Sequence, residues 1–232
     1  MGKGINGIVL KAFRAEDYQL TVTSTERVDD NFVRIGCTGG GLLTDHPVHP
    51  TQWIRMWFPQ QDGSLIQRGY TLVDPDPDSD SFDLEFVLHD GPASKWAENA
   101  AVGDVIEATV LGSKFALPEK NPSEYVIFGD SASLPAINSL LDAIGDTPAR
   151  VWLEWQHEAE RGYQVRTGPR TELTWVERRN YGQLMRQAAE SLSCAPNAFA
   201  WAACDAATTR AITKSLRSKL PKENIAARGY WR

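Results

Sequence analysis

Tyr125-Val126-Ile127-Phe128-Gly129-Asp130-Ser131 is where this chain changes its pattern. Four apolar residues without a polar break suit a strand buried on both faces, and Gly-Asp-Ser after them supplies turn and capping chemistry for a helix. That helix is marked by Ile137, Leu140, Leu141 and Ile144 at i, i+3, i+4 and i+7, with Pro135 tolerated in its first turn. Further on, strands at 151–155, Leu173–Val176, 198–203 and near Ile225 alternate with a helix through Leu184 to Leu192 and another bearing Ile212, Leu216 and Leu220. Such alternation predicts a Rossmann-like α/β domain: a parallel sheet wound with right-handed crossovers.

Before residue 122 the period is two. Tyr18–Thr25, Asn31–Ile35, Trp53–Pro59, the stretch from Arg68 to Leu72, and Val105–Val110 read as strands. Phe82 to His89 places Leu84, Phe86 and Leu88 on one face and Glu85, Val87 and His89 on the other, so the strand is expected to end at His89. Only a short helix is expected, around Ser94 to Ala100. Short strands with regular turn signals predict a closed antiparallel β-barrel. The chain therefore divides into a barrel over 1–120 and an α/β domain over 121–232, joined near Pro118–Asn121.

The formal charge of -6 argues against a general nucleic-acid binder, which needs a basic excess to displace phosphate counterions. Cys37, Cys194 and Cys204 are widely spaced, which indicates neither a disulfide framework nor a zinc site, and His46, His49 and His157 show no ligand spacing, so no metal site is expected. No apolar run approaches the ~20 residues of a membrane helix. The N-terminus lacks the order of a signal peptide, and Asn6 stands where a myristoylation motif wants Ser or Thr. Cytoplasmic is the default expectation.

Two stretches carry chemistry. Arg68-Gly69-Tyr70-Thr71 combines a guanidinium fork for phosphate, an aromatic ring and a hydroxyl, a set that suits a flat anionic cofactor such as FAD. Gly91-Pro92-Ala93-Ser94 then offers a turn whose backbone N–H groups approach a pyrophosphate at a helix start. Taken singly, Arg68 also fits a surface residue, Tyr70 a half-buried strand aromatic and Gly91-Pro92 an ordinary turn.

Taken together, Arg-x-Tyr-Thr, a strand ending Val-Leu-His, and Gly-Pro-Ala-Ser-x-Trp-Ala resemble the siderophore-interacting proteins, a branch of the ferredoxin-NADP reductase-like flavoproteins. Gly129-Asp130-x-x-x-Leu134-Pro135-Ala136-Ile137, Trp175-x-x-Arg178, Trp201-Ala202 before an acidic turn, and Tyr230-Trp231-Arg232 extend the resemblance over nearly the whole chain. It implies that Arg68 and Thr71 hold the flavin phosphate and ring, that Tyr70 packs on the ring, that His89 touches the flavin, and that Gly91, Pro92, Ala93 and Ser94 cradle the pyrophosphate. Asp130 and Ser131 would meet the adenine side of the flavin or a nicotinamide dinucleotide. Gly129, Cys204 and Asp205 fall on the nicotinamide side, and Arg232 is the nominated contact to an anionic ferric siderophore. The chain departs from the family at Val73, where a second Arg is common, at Ser131-Ala132, where Glu and Thr follow Gly-Asp, and at Cys204, where a glycine is usual.

The resemblance implies an FAD-dependent reductase of ferric siderophores that draws electrons from NADH, NADPH or a ferredoxin, with no side chain as catalytic acid or base. A flavin oxidoreductase with another acceptor, and a module that binds flavin or siderophore without turnover, remain open. So does docking on a siderophore transporter in the membrane.

Overall fold

The computed structural model describes residues 16–232. The expectations about a leader or a myristoyl group concern residues outside these. Two compact units divide the chain, Met1–Phe115 and Ala116–Arg232, a boundary just ahead of Pro118.

In the first unit the strands are β1 (Glu16–Asp29), β2 (Phe32–Thr38), β3 (Trp53–Pro59), β4 (Leu65–Thr71), β5 (Val73–Asp76), β6 (Ser81–Val87) and β7 (Val105–Val110), with helices α1 (Leu42–Asp45) and α2 (Pro92–Asn99). The strands form one sheet in the order β4-β3-β7-β1-β2-β6-β5, and every ladder is antiparallel. The two edge strands, β4 and β5, are consecutive in the chain and separated by Leu72 alone. Laid flat, seven strands would hold their edges about 29 Å apart, at about 4.8 Å per neighbour. One residue spans at most about 7 Å between the flanking Cα atoms. The sheet must curl, and Leu72, 2% exposed, sits inside the seam with its N–H donated to Gln52 O at 2.9 Å. Among the described residues no ladder joins β4 to β5, so the barrel expected from sequence is a half-barrel closed by the chain rather than by hydrogen bonds.

Alternation places Phe82, Leu84 and Phe86 of β6 in the core. The strand stops at Val87, short of His89, because the His89 N–H is donated to Ser94 Oγ at 3.0 Å and so belongs to the turn that opens α2.

The second unit contains β8 (Tyr125–Asp130), α3 (Leu134–Ile144), β9 (Ala149–Trp155), β10 (Thr171–Glu177), α4 (Gln183–Ser191), β11 (Phe199–Ala203), α5 (Ala206–Leu216) and β12 (Ile225–Ala227). All its ladders are parallel, in the order β10-β9-β8-β11-β12. The chain winds outward from β8 in one direction and from β11 in the other. β8 is buried along its whole length, as its apolar run requires, and α3 buries Ile137, Leu140, Leu141 and Ile144. Between β8 and α3, Gly129 lets the strand pass under the helix: a Cβ there would run into Ile137 Cδ1 and lie 2.5 Å from Ser133 Oγ.

Gly129→Ala is accordingly expected to lower stability by roughly 1–3 kcal/mol through overpacking, measured as a fall in the urea midpoint at unchanged slope. An unchanged midpoint would show that the turn has room to spare.

Candidate functional site

Four aromatic rings assemble the site of the first unit. Tyr70 on β4 lies 4.3 Å from Phe86 on β6 and 5.8 Å from Phe58 on β3, while Trp96 on α2 lies 5.6 Å from Phe58 and 5.7 Å from Phe86. Offset and edge-on pairs of this kind favour a fixed relative orientation. They fasten α2 to the strand that carries Arg68 and Thr71. One face of the Tyr70 ring is thereby turned to Phe86, and burial pushes its phenol above the ordinary range.

Around that cluster, the Arg68 guanidinium is exposed and donates to Gln67 O at 2.8 Å, and Thr71 is buried at the end of β4. His89, Gly91 and Ser94 meet in one turn: Ser94 Oγ accepts from the His89 N–H, and a Cβ on Gly91 would stand 2.9 Å from His89 Cε1. Pro92 opens α2 and Ala93 is buried in the core. The first turn of α2 has no acidic residue and no side-chain cap, and Gly91 has no side chain to block approach. An exposed guanidinium, an uncapped helix start and a bare glycine are donors and space suited to the phosphates of FAD, so these residues fit that cofactor.

A second constellation stands at the carboxyl ends of β8, β9 and β11, where β8 and β11 part and open α/β sheets take their ligands. Asp130, 3% exposed, accepts from the Ser133 N–H at 3.1 Å through Oδ1 and from Trp231 Nε1 at 2.8 Å through Oδ2. Glu154 is its register partner on β9; Oε2 accepts from Arg178 Nη1, and buried Oε1 has no hydrogen-bond partner. Arg178 also donates to Asp205 Oδ2 at 3.1 Å and lies 4.8 Å from the Trp231 ring centroid. Asp205 Oδ1 caps α5 by accepting from the N–H groups of Ala207 and Thr208, both at 2.9 Å.

Burial, reinforced by Glu154, pushes the Asp130 carboxyl up to about 7 against the opposing hydrogen bonds of Trp231 and Ser133. Burial raises Glu154 as well, with Arg178 opposing. At Asp205 burial works against ionisation, but bonds from Thr208 and Arg178 outweigh it and hold the carboxyl below its usual range. Cys204 is fully buried among apolar neighbours including Phe128, Ile212 and Leu216, and burial drives its thiol well above the ordinary value, so it packs as a core residue. Ser131 is buried in the turn after β8 and Arg232 is exposed beyond Trp231. Sequence reasoning assigned no role to Glu154, Arg178 or Trp231. The Trp175-x-x-Arg178 and Tyr230-Trp231-Arg232 motifs were signals for two of them; Glu154 had none. Among the described residues no cluster of His, Cys, Asp and Glu is placed to hold a metal ion, and no helix is long and apolar enough to cross a membrane.

Known proteins resemble this chain over its whole length. The family profile described as siderophore-interacting FAD-binding domain matches residues 44–110, and that described as siderophore-interacting protein matches residues 122–232. The mycobactin import ATP-binding/permease protein IrtA of Mycolicibacterium smegmatis is 35% identical over all of this chain, which spans 28% of that protein. The chain thus covers less than a third of the length of the first curated relatives it matches. Ferric acinetobactin reductase of Acinetobacter baumannii is 25% identical over 94% of this chain and 79% of its own length. A solved siderophore-interacting protein from Acinetobacter baumannii superposes with a TM-score of 0.81 over 94% of this chain and 90% of that one at 24% identity, a likeness of fold.

The Asp130 shift predicts a pH dependence. The folded state holds this proton more tightly than the unfolded chain does, so the contribution to stability is fully present below the ordinary carboxylate value and is lost as pH rises toward about 7. Asp130→Asn keeps one carbonyl oxygen to accept from Ser133 or Trp231, turns an amide N–H to the other, and removes the titration. Between pH 5 and 8 the wild type is expected to lose about 2–3 kcal/mol more than this variant, read from chemical unfolding; equal losses in the two proteins would contradict the shift.

Proposed function

Because the chain belongs to the siderophore-interacting protein family, we propose that it is an FAD-dependent reductase of ferric siderophores, acting in the cytoplasm on complexes brought in by an importer. The observation that carries this reading is the joint placement of the exposed Arg68 fork and the uncapped, glycine-led start of α2 by one aromatic cluster. A domain that holds FAD this way needs only a donor and an acceptor to be a reductase. The names of the relatives, a mycobactin import protein and a ferric acinetobactin reductase, point to the acceptor.

Bound FAD accepts two electrons and passes them on singly, which is what an iron(III) centre requires. The protein contributes binding and orientation. Arg68 would pair with phosphate, Gly91, Ala93 and Ser94 would turn backbone N–H groups to the pyrophosphate, and Thr71, His89 and Tyr70 would meet the ring system. Hard oxygen donors hold iron(III) far better than the less charged iron(II), so reduction loosens the metal from its siderophore. Iron release then needs no acid or base from the chain. The electron donor is NADH, NADPH or a ferredoxin.

Arg68→Ala should weaken FAD binding roughly 10- to 100-fold, the loss of a charge-assisted contact of about 1.5–3 kcal/mol, measured as flavin retained through dialysis. Full retention would remove Arg68 from the site. With each donor in turn, flavin-loaded protein incubated anaerobically with a ferric siderophore and an iron(II) chelator is expected to accumulate the coloured iron(II) complex. No iron(II) with any donor would reject the reductase.

A further inference from the structure

Helix α5 presents a stripe of positive charge to solvent. Its inner face buries Thr208, Thr209, Ile212 and Leu216, the last two in the core beside the sheet, and this fixes the helix with Arg210, Lys214 and Arg217 outward at i, i+4 and i+7. Lys222, in the turn before β12, adds a fourth cation. All four side chains are exposed, and none is hydrogen-bonded or ion-paired with a described residue. No acidic residue occurs from Ala206 to Lys222. Asp205 precedes the run but is buried and committed to the α5 cap and to Arg178, and Glu223 follows it. Lys219, the remaining cation of the run, is half-buried and donates to Glu190 O and Leu192 O.

Compensation of the helix dipole accounts for Lys214 and Arg217 in and after the last turn, but not for Arg210 in the middle of α5 or Lys222 beyond its end. General basicity does not account for them either, because the chain has 24 Lys and Arg against 30 Asp and Glu. The charge is therefore concentrated at one place on an acidic chain. Arg210 and Arg217 are about 10 Å apart along the helix axis, about the Debye length at 0.1 M salt, so the stripe acts on a charged surface as one patch. What it lacks is equally informative: the exposed large hydrophobics among the described residues are Val28, Val48, Val102, Val105 and Tyr181, all outside 206–222. A protein partner asks for an apolar or aromatic centre to bury, whereas a layer of lipid headgroups asks only for cations on flexible stems.

We propose that the outer face of α5, together with Lys222, is a docking surface for an anionic lipid bilayer. The chain rests on headgroup phosphates through Arg210, Lys214 and Arg217 and inserts nothing. Because the attraction is local and the chain as a whole is acidic, attachment is reversible and sensitive to salt. This goes beyond the reductase reading and does not rest on it.

The test is co-sedimentation of the full chain with sucrose-loaded vesicles, made either of phosphatidylcholine alone or of phosphatidylcholine and phosphatidylglycerol in equal parts. In about 0.05 M salt the protein is expected to pellet with the mixed vesicles and to stay in solution with the neutral ones. In about 0.5 M salt, where the Debye length falls to a few Å, it should be released. Arg210→Gln, Lys214→Gln and Arg217→Gln are each expected to weaken binding about fivefold, and the triple variant about a hundredfold; glutamine is a good helix former, so α5 keeps its structure. A control with Lys114→Gln, Lys120→Gln and Arg170→Gln, exposed residues away from α5, makes the same change in net charge and should bind nearly as well as wild type. No pelleting with the mixed vesicles, equal pelleting with both kinds, or a loss that the control reproduces in full would each overturn the proposal. So would a chain that ignores both vesicles but is retained on immobilised ferredoxin through Arg210, Lys214 and Arg217, an outcome that assigns the stripe to an acidic protein. The assay contains no donor and no iron. A protein that binds the vesicles and releases no iron(II) would keep this inference and lose the reductase, and a reductase indifferent to vesicles would do the reverse.

Discussion

The contact of Tyr70 with Phe86, extended to Phe58 and Trp96, is the constraint on which the first unit's chemistry depends. Arg68 sits on an edge strand and Gly91 to Ser94 sit at the head of a helix of eight residues, two elements with little intrinsic rigidity. Phe58 and Phe86 are fully buried, and each contributes about 2–3 kcal/mol of transfer free energy to holding the elements together. The rings add orientation, which a set of aliphatic side chains of equal area would not. Curling the sheet until its edges meet at Leu72 is what brings β4 and β6 close enough for this to happen.

The second unit is held by different physics. Three carboxylates are buried at one end of its sheet: Glu154 and Asp205 accept from the Arg178 guanidinium, and Asp130 accepts from Trp231. Burying charge in this way costs free energy that packing alone would not demand, and a Glu154 oxygen is left without a partner. The aromatic cluster and this ionic group divide the labour. One orients Arg68 and the start of α2 at no electrostatic cost, and the other keeps polar groups dry at the ends of parallel strands.

Much of this was legible in the chain because it is local. The apolar run Tyr125–Phe128 specifies a buried parallel strand, the i, i+3, i+4, i+7 spacing from Ile137 specifies α3, and alternation in 82–86 specifies the face of β6. Arg68 and the glycine-proline turn read as phosphate-suited from their own chemistry, and their role is the proposal made above. What escaped depends on strand order or on long loops. Asp130 meets Glu154 only because β8 and β9 are neighbours in register, and Trp231 reaches Asp130 across 101 residues of chain. Neither follows from spacing. The early end of β6 was hidden for another reason: the Ser94 hydroxyl competes with the ladder for the His89 N–H, and periodicity has no term for that competition.

The central claim is that flavin held by this cluster delivers electrons to siderophore-bound iron(III). The most direct measurement is a single turnover: flavin-loaded protein is photoreduced under argon by a sacrificial tertiary amine, with no nicotinamide or ferredoxin present, then mixed in the dark with a ferric siderophore and an iron(II) chelator and followed at once by flavin and chelator absorbance. The account predicts that flavin reoxidation and iron(II) capture proceed together, with two iron(II) formed per flavin because a two-electron carrier serves a one-electron acceptor. Reduced flavin that persists beside intact ferric siderophore would contradict it.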